Sequence, residues 1–255
     1  MTKLEIIKIG GKVIDQKDQL DKVLAAFAKI EGPKLLIHGG GSKASEMEKT
    51  LGLVPNMIEG RRVTDEQSIE VVTMVYAGLI NKKIVANLQS VKCNAIGLSG
   101  PDGNAIISDK RPIKPIDFGF VGDVKKVNTH LITTLLQSGL TPVFSAITHD
   151  GTGQLLNTNA DTMASVIAQA LSEEYEVHLT LAFEKNGVLD AEGIILSTID
   201  EVLFKKLIKE KTVIDGMVPK LSNAFDALKN GVAEVKLTSA EYLSNASLPY
   251  TKVVL

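Results

Sequence analysis

Residues 4–12 read LEIIKIGGK. The apolar run carries one basic side chain, Lys8, and runs into Gly10-Gly11 before a segment of helical character. It reads as a buried strand, a tight turn and a helix. In such a unit two backbone N–H groups stand beside a cation at the end of a strand. Anionic oxygens bind well there, because unpaired N–H groups and the helix dipole both favour negative charge. Taken alone, the stretch also reads as a plain turn with Lys8 snorkelling to solvent. Recurrence decides between the two: residues 34–42, KLLIHGGGS, repeat the pattern of strand, glycine run and helix.

Working outward, residues 19–28 place Leu20, Val23, Leu24 and Phe27 at helical spacing, and Gly32-Pro33 stops that crossover helix. A second helix runs from the glycine run through Leu51. This alternation is that of a parallel sheet with crossover helices, with glycine turns at the carboxyl ends of strands, where open α/β sheets bind ligands. Neither turn has the G-x-x-x-x-G-K-[ST] spacing of a P-loop or the G-x-G-x-x-G of a dinucleotide fold.

The whole chain bounds the answer. Its 255 residues, 44% hydrophobic, suit one large α/β domain or two closely joined lobes. Net charge is −2, with 28 basic and 30 acidic residues interspersed, so no global field argues for nucleic acid or membrane. Cys93 is the only cysteine, which excludes an intramolecular disulfide and argues against a thiolate metal cluster. The strand pattern begins almost at once, so no signal peptide is expected, and no apolar run reaches the roughly 20 residues of a membrane span. A cytoplasmic protein is the expectation.

Residues 56–64 suggest a hairpin bending near Gly60, with Thr64 as N-cap, Gln67 three residues on, and a long helix to about Val91. Arg62 could hold a carboxylate bidentately or be a solvated hairpin arginine. On the helix, Ile69, Val72, Val75 and Ile80 form a face for the core or for a dimer seam. A short strand at 94–98 ends in a turn. The prolines and glycines of 109–127 suggest hairpins or a surface flap. A helix at 129–137 and a strand at 141–145 follow. In 154–161, QLLNTNAD, the residues Asn157, Asn159 and Asp161 crowd the approach to a helix at 162–171. A cap explains any one of them, but three at alternating positions exceed what a cap needs. Beyond 172 come a strand at 177–181, a turn at 184–187, a helix at 200–210, a loop to Lys220, a helix at 221–229 and strands at 232–237 and 252–255. The two halves are expected to share one sheet.

Six motifs, IIKIGG (6–11), IHGGG (37–41), GRRVT (60–64), GFVGDV (119–124), LNTNAD (156–161) and DGMVPK (215–220), occur together in one order. In them the chain resembles the N-acetylglutamate kinases of the amino-acid kinase family. The resemblance implies an open three-layer αβα sandwich with a mainly parallel central sheet. Residues 1–172 would form the lobe for the N-acylated glutamate and for dimerisation, and 173–255 the lobe for ATP and Mg²⁺. It implies ATP-dependent phosphorylation of the side-chain carboxylate of N-acetyl-L-glutamate, in arginine biosynthesis. That carboxylate, with an ordinary pKa near 4.3, is ionised at neutral pH and needs no general base. No His-centred pattern is present among His38, His130, His149 and His178. By the resemblance, Lys8 and Lys220 neutralise the transferring phosphoryl group and Asp161 orients them. Gly10, Gly11, Gly40 and Gly41 offer backbone N–H groups, while Arg62, Asn157 and Asn159 hold the substrate. The nucleotide would lie along Glu184, Lys185, Asn186, Gly187, Val188 and Leu189 and along Thr212, Val213 and Ile214. No protein ligand for Mg²⁺ is identified, the phosphates supplying most of its coordination.

The chain departs from the family pattern in two places. Glu184 stands in a segment that carries an aspartate in many relatives. Residues 42–45, SKAS, differ from the commoner forms, so a larger acyl group such as succinyl is open, with Lys43 a candidate cation for its extra carboxylate. The family's arginine-inhibited hexamers carry an additional N-terminal helix that does not precede the first strand here. The resemblance therefore implies a dimer without that switch. A carbamate or aspartate kinase would share the lysine–glycine elements but lack GRRVT and LNTNAD. A silent nucleotide- or amino-acid-sensing subunit would lose one of Lys8, Asp161 and Lys220, and all three are present.

Overall fold

The computed structural model describes residues 1–58, 60–214 and 216–255; Glu59 of the expected hairpin and Asp215 of the DGMVPK motif lie outside the described residues. In chain order the first half contains β1 (Thr2–Ile9), α1 (Gly11–Asp15), α2 (Lys17–Ala28), β2 (Lys34–His38), α3 (Gly41–Thr50), β3 (Met57–Ile58) and β4 (Arg61–Arg62). Helix α4 (Glu66–Thr73) continues through a π-helical stretch, Met74–Ile80, into α5 (Asn81–Ser90). Then come β5 (Ala95–Leu98), β6 (Ile106–Lys110), β7 (Val121–Val127), α6 (Thr129–Gln137), β8 (Thr141–Ser145), β9 (Ile147–His149), β10 (Leu155–Thr158) and α7 (Ala160–Leu171). The chain ends with β11 (Tyr175–Phe183), β12 (Thr198–Ile199), α8 (Glu201–Lys209), α9 (Met217–Lys229), β13 (Glu234–Ser239) and β14 (Thr251–Val253).

One sheet of eight strands, ordered β12-β14-β13-β11-β1-β2-β8-β5, spans both halves of the chain. The six strands from β13 to β5 are mutually parallel, and β14 runs antiparallel to β13. The opening stretch is therefore a central strand, paired with β11 on one side and β2 on the other. Both its faces are covered, which is why it reads as a near-continuous apolar run. Its alternation assigns the two cores. Leu4 and Ile6 pack with residues of α6, α7, α8 and α9. Ile7 and Ile9 pack with α2, α3, α4, the π stretch and α5. The result is the expected three-layer αβα sandwich. Lys8 shares the parity of Leu4 and Ile6, so it emerges on the α7–α9 side.

Several local expectations need correction. The N-cap of α4 is Asp65, whose side chain accepts from Ser68 N–H, rather than Thr64. Helix α9 starts at Met217 instead of Leu221, so Lys220 is helical. Pro219 sits in its first turn, where a missing N–H costs nothing. The segment between β5 and α7 holds more strand than a flap: β6, β7, β9 and β10 close a small barrel beside the main sheet. Ile69, Val72, Val75 and Ile80 are all buried within the chain itself. Among the described residues no helix is long and apolar enough to cross a membrane.

Candidate active site

Asp161 lies in the first turn of α7, two residues after the N-cap Asn159, whose Oδ1 accepts from the N–H groups of Asp161 and Thr162 at 3.0 Å each. The cap fixes the start of the helix and points the Asp161 carboxylate at β1. Lys8 Nζ, from the end of β1, stands 2.8 Å from one carboxylate oxygen. Lys220 Nζ, from the first turn of α9, donates to the other at 2.5 Å. Two cations from opposite ends of the chain thus share one carboxylate. Burial would push the Asp161 carboxyl up, but the charges of Lys8 and Lys220 and their hydrogen bonds outweigh it and hold it well below the usual carboxylate range. Burial, then the charge of Lys8, lowers Lys220, with Asp161 opposing both.

This trio stands at the junction of two cavities. A cleft of about 870 Å³ is walled by Gly10, Gly11, Lys12, Glu184, Lys185, Asn186 and Lys220 among others. A smaller cavity of about 210 Å³ is walled by Gly40, Gly41, Arg62, Asn157 and Tyr76. Lys8, Gly11, Asn159 and Asp161 border both. The glycines differ in what they leave room for. A Cβ on Gly40 would stand 2.4 Å from Ile80 Cδ1 and 2.9 Å from the Tyr76 ring, so the protein itself excludes a side chain there. A Cβ on Gly10 would meet nothing nearer than 3.5 Å, so packing gives no reason for glycine at that position and the open space lies toward the cleft.

Arg62 is buried, and its guanidinium is already engaged. It pairs with Glu48 of α3 and donates to Gly41 O at 3.0 Å and to Ser45 Oγ at 2.6 Å. Arg62 therefore braces the second glycine turn as well as facing the small cavity. Asn157 Nδ2 donates to Thr64 Oγ1 at 3.0 Å, tying the LNTNAD and GRRVT motifs together. Each polar residue of 157–161 thus has its own partner. The structure does not bring every expected residue into a wall: Gly187, Val188, Leu189, Thr212, Val213 and Ile214 border neither cavity. Val188 and Val213 belong to the core, and a Cβ on Gly187 would strike Ile195 and Thr251. Lys43 pairs with Glu46 at 2.7 Å, away from both cavities.

Sequence reasoning missed Glu48, which reads as a solvated helix position, and Tyr76, which reads as core. It also missed Lys12, which pairs with Glu184 across the cleft mouth at 2.7 Å, and Arg61 and Arg111 beside the small cavity. Basic residues next to a glycine turn were the available signal for Lys12 and Arg61. Nothing marked Glu48, since its partner lies in another element. No group of three or more His, Cys, Asp or Glu side chains able to hold a metal occurs among the described residues.

A buried Lys–Asp–Lys bridge where two glycine-bordered cavities meet on a parallel sheet is an arrangement suited to phosphoryl transfer. The chain belongs to the amino acid kinase family, whose model matches residues 3–239. Among its relatives, the acetylglutamate kinase of Parabacteroides distasonis is 48% identical over 244 residues, 94% of this chain and 95% of that one. That of Cytophaga hutchinsonii is 49% identical over 247 residues, 95% of this chain and 94% of the relative. Among solved structures, N-acetylglutamate synthase from Neisseria gonorrhoeae superposes with a TM-score of 0.84 at 21% identity, covering all of this chain and 59% of that one, which speaks for the fold alone.

Proposed function

We propose that this protein transfers the γ-phosphoryl group of ATP to the side-chain carboxylate of N-acetyl-L-glutamate, giving the acyl phosphate, an activity that belongs to arginine biosynthesis. The reading is supported by the family and by the names of relatives near half identity over almost the whole chain. The observation that carries it is the pair of lysines on one carboxylate where a large and a small cavity meet.

In this reading a carboxylate oxygen attacks the γ-phosphorus and the bond to the bridging oxygen of ADP breaks. No proton moves, so no general base is needed, in keeping with a site that holds no free imidazole. The obstacle is anion meeting anion. Lys8 reaches the phosphoryl group from the wall the two cavities share and Lys220 from the cleft, and Asp161 keeps both ammonium groups in place without leaving the site excessively cationic. Each preorganised donor of this kind is worth on the order of 3 kcal/mol of barrier. Gly10 and Gly11 lend N–H groups to the phosphates, Gly40 and Gly41 to the reacting end of the substrate. Arg62, with Asn157 and Asn159, holds the α-carboxylate and the amide. The cleft has the size and cations for a nucleoside triphosphate. In this reading Mg²⁺ rides mainly on the nucleotide phosphates, since Asp161 is engaged by two lysines. When bound, it would neutralise phosphate charge.

Residues 1–172 then serve the acyl amino acid and 173–255 the nucleotide, in a cytoplasmic homodimer. Exposed Met57 on the hairpin and Met74 on the π stretch suit a subunit contact. Incubation with ATP, Mg²⁺ and N-acetylglutamate, with hydroxylamine trapping the product, tests the function. Hydroxamate formation dependent on both substrates is expected. ATP turnover only with carbamate, aspartate or N-succinylglutamate would refute the assignment of the acetylated substrate. No turnover with any of them would leave a sensor.

A further inference from the structure

His38 closes β2 and precedes the second glycine turn, yet no role in phosphoryl transfer falls to it. It is fully buried. Its Nδ1 lies 2.8 Å from Gly39 O, and its Nε2 lies 3.1 Å from Asn81 Nδ2. A carbonyl oxygen only accepts, so Nδ1 carries the proton and donates. Nε2 then accepts from Asn81, whose amide also donates to Val143 O at 2.9 Å in the neighbouring strand β8. The tautomer is thereby fixed, and burial holds the imidazole neutral by lowering its pKa to about 4.

In a trans peptide the carbonyl oxygen and the following N–H point to opposite sides. Turning Gly39 O inward onto the imidazole therefore turns Gly40 N–H outward, and Gly40 borders the small cavity. Among the described residues this N–H donates to no group of the chain. The support behind the turn is also specific. Asn81 follows directly on the π-helical stretch Met74–Ile80, which presses Tyr76 and Ile80 against the Gly40 Cα. π-Helical turns are rare and are frequently found at functional sites. One irregular helical turn thus sets both contacts to the glycine turn, the packing on Gly40 and the hydrogen bond to His38.

We propose that His38, held by Asn81, is a positioning residue that turns the Gly39–Gly40 peptide so that Gly40 N–H faces the point where the substrate carboxylate meets the phosphoryl group. The inference rests on the phosphotransfer reading above. It assigns His38 no contact with substrate and no proton transfer. A misaimed donor weakens an interaction that matters most in the transition state, so the loss belongs in kcat rather than in the KM for ATP.

Two polar replacements separate the two ring nitrogens while each keeps one polar amide at the buried position. In His38→Asn the amide falls at the place of Nδ1 and still donates to Gly39 O. In His38→Gln it reaches toward Asn81 and leaves Gly39 O without a donor. Steady-state hydroxamate kinetics should give His38→Asn a kcat within roughly 5-fold of wild type and His38→Gln a loss of about 10²-fold, both with KM for ATP within about 2-fold. Ile84→Ala, a fully buried core truncation on α5, reports what loss of stability alone does to kcat. Equal kcat values for the two replacements, a larger loss for His38→Asn, or a His38→Gln loss no greater than that of Ile84→Ala would overturn the proposal. A wild-type protein inactive with ATP and every one of the acceptors named above would overturn the phosphotransfer reading itself and the proposal with it, a result distinguishable because it appears before any substitution is made.

Discussion

Replacing Asp161 by Asn keeps the size and the cap region while removing one negative charge from between two positive ones. At 2.8 and 2.5 Å, each contact is worth roughly 6 kcal/mol by Coulomb's law at an effective dielectric of about 20, before desolvation. Once desolvation is counted, breaking such a pair costs about 3–5 kcal/mol. The strain has an outlet. Lys220 is already lowered by burial and by Lys8, and only Asp161 opposes them. Without that carboxylate Lys220 falls further and gives up its proton more readily. A site with one neutral lysine loses one preorganised cation, which is about 3 kcal/mol of barrier or on the order of 10²-fold in kcat. The sign with pH follows: the deprotonated fraction grows as pH rises, so the deficit of D161N relative to wild type widens with rising pH when followed from about pH 6.5 to about pH 8.5. Hydroxamate kinetics across that range are the assay. A D161N enzyme within about 3-fold of wild type, or one whose deficit does not change with pH, would refute the reasoning.

Three further outcomes follow from the geometry. Glu48→Ala strands the buried Arg62 charge and should cost about 3–5 kcal/mol in denaturant unfolding, whereas Glu48→Leu combined with Arg62→Met should recover most of it; a double variant no more stable than the single would contradict the pairing. Gly40→Ala should cost roughly 1–3 kcal/mol through overpacking against Ile80 and Tyr76, less when Ile80→Val removes the struck methyl, while Gly10→Ala should leave stability unchanged and lower activity. The buried His38, at about 4 against an ordinary 6.5, binds its proton more tightly unfolded than folded. Its stabilisation is therefore complete above pH 6.5 and is lost as pH falls toward 4, so wild type should lose roughly 2 kcal/mol more than His38→Asn between pH 7 and pH 5 in urea unfolding. Equal losses would place the titration elsewhere.

Much of the fold could be read because its signals are local. The strands β1, β2 and β8 and the helix α6 are bounded by glycines, prolines and apolar runs that act within a few residues. The site was readable in part for the same reason: Lys8, the glycine turns and Asp161 sit in short stretches whose composition exceeds what a turn or a cap requires. That Lys8 and Lys220 meet on Asp161 was implied by resemblance, and the structure gives the physical cause in strand parity and two helix starts. What stayed hidden depends on partners distant in sequence. Glu48 looks like any acidic residue on an exposed helix until Arg62 arrives from the hairpin. The π stretch has no pattern of its own, since Ile69 to Ile80 reads as one helical face. The barrel of β6, β7, β9 and β10 was obscured by the prolines and glycines between its strands. Of the segments 187–189 and 212–214, expected at the nucleotide, the side chains of Val188 and Val213 lie in the core.

The central claim is that two ammonium groups converge on one phosphorus atom. A structure with ADP, N-acetylglutamate and aluminium fluoride, a mimic of the phosphoryl group in flight, tests it most directly. The account predicts Lys8 Nζ and Lys220 Nζ each within hydrogen-bond distance of the fluoride ligands, with Asp161 still between them. Aluminium fluoride bound with either lysine turned away from it, or no binding in the junction of the two cavities, would contradict it.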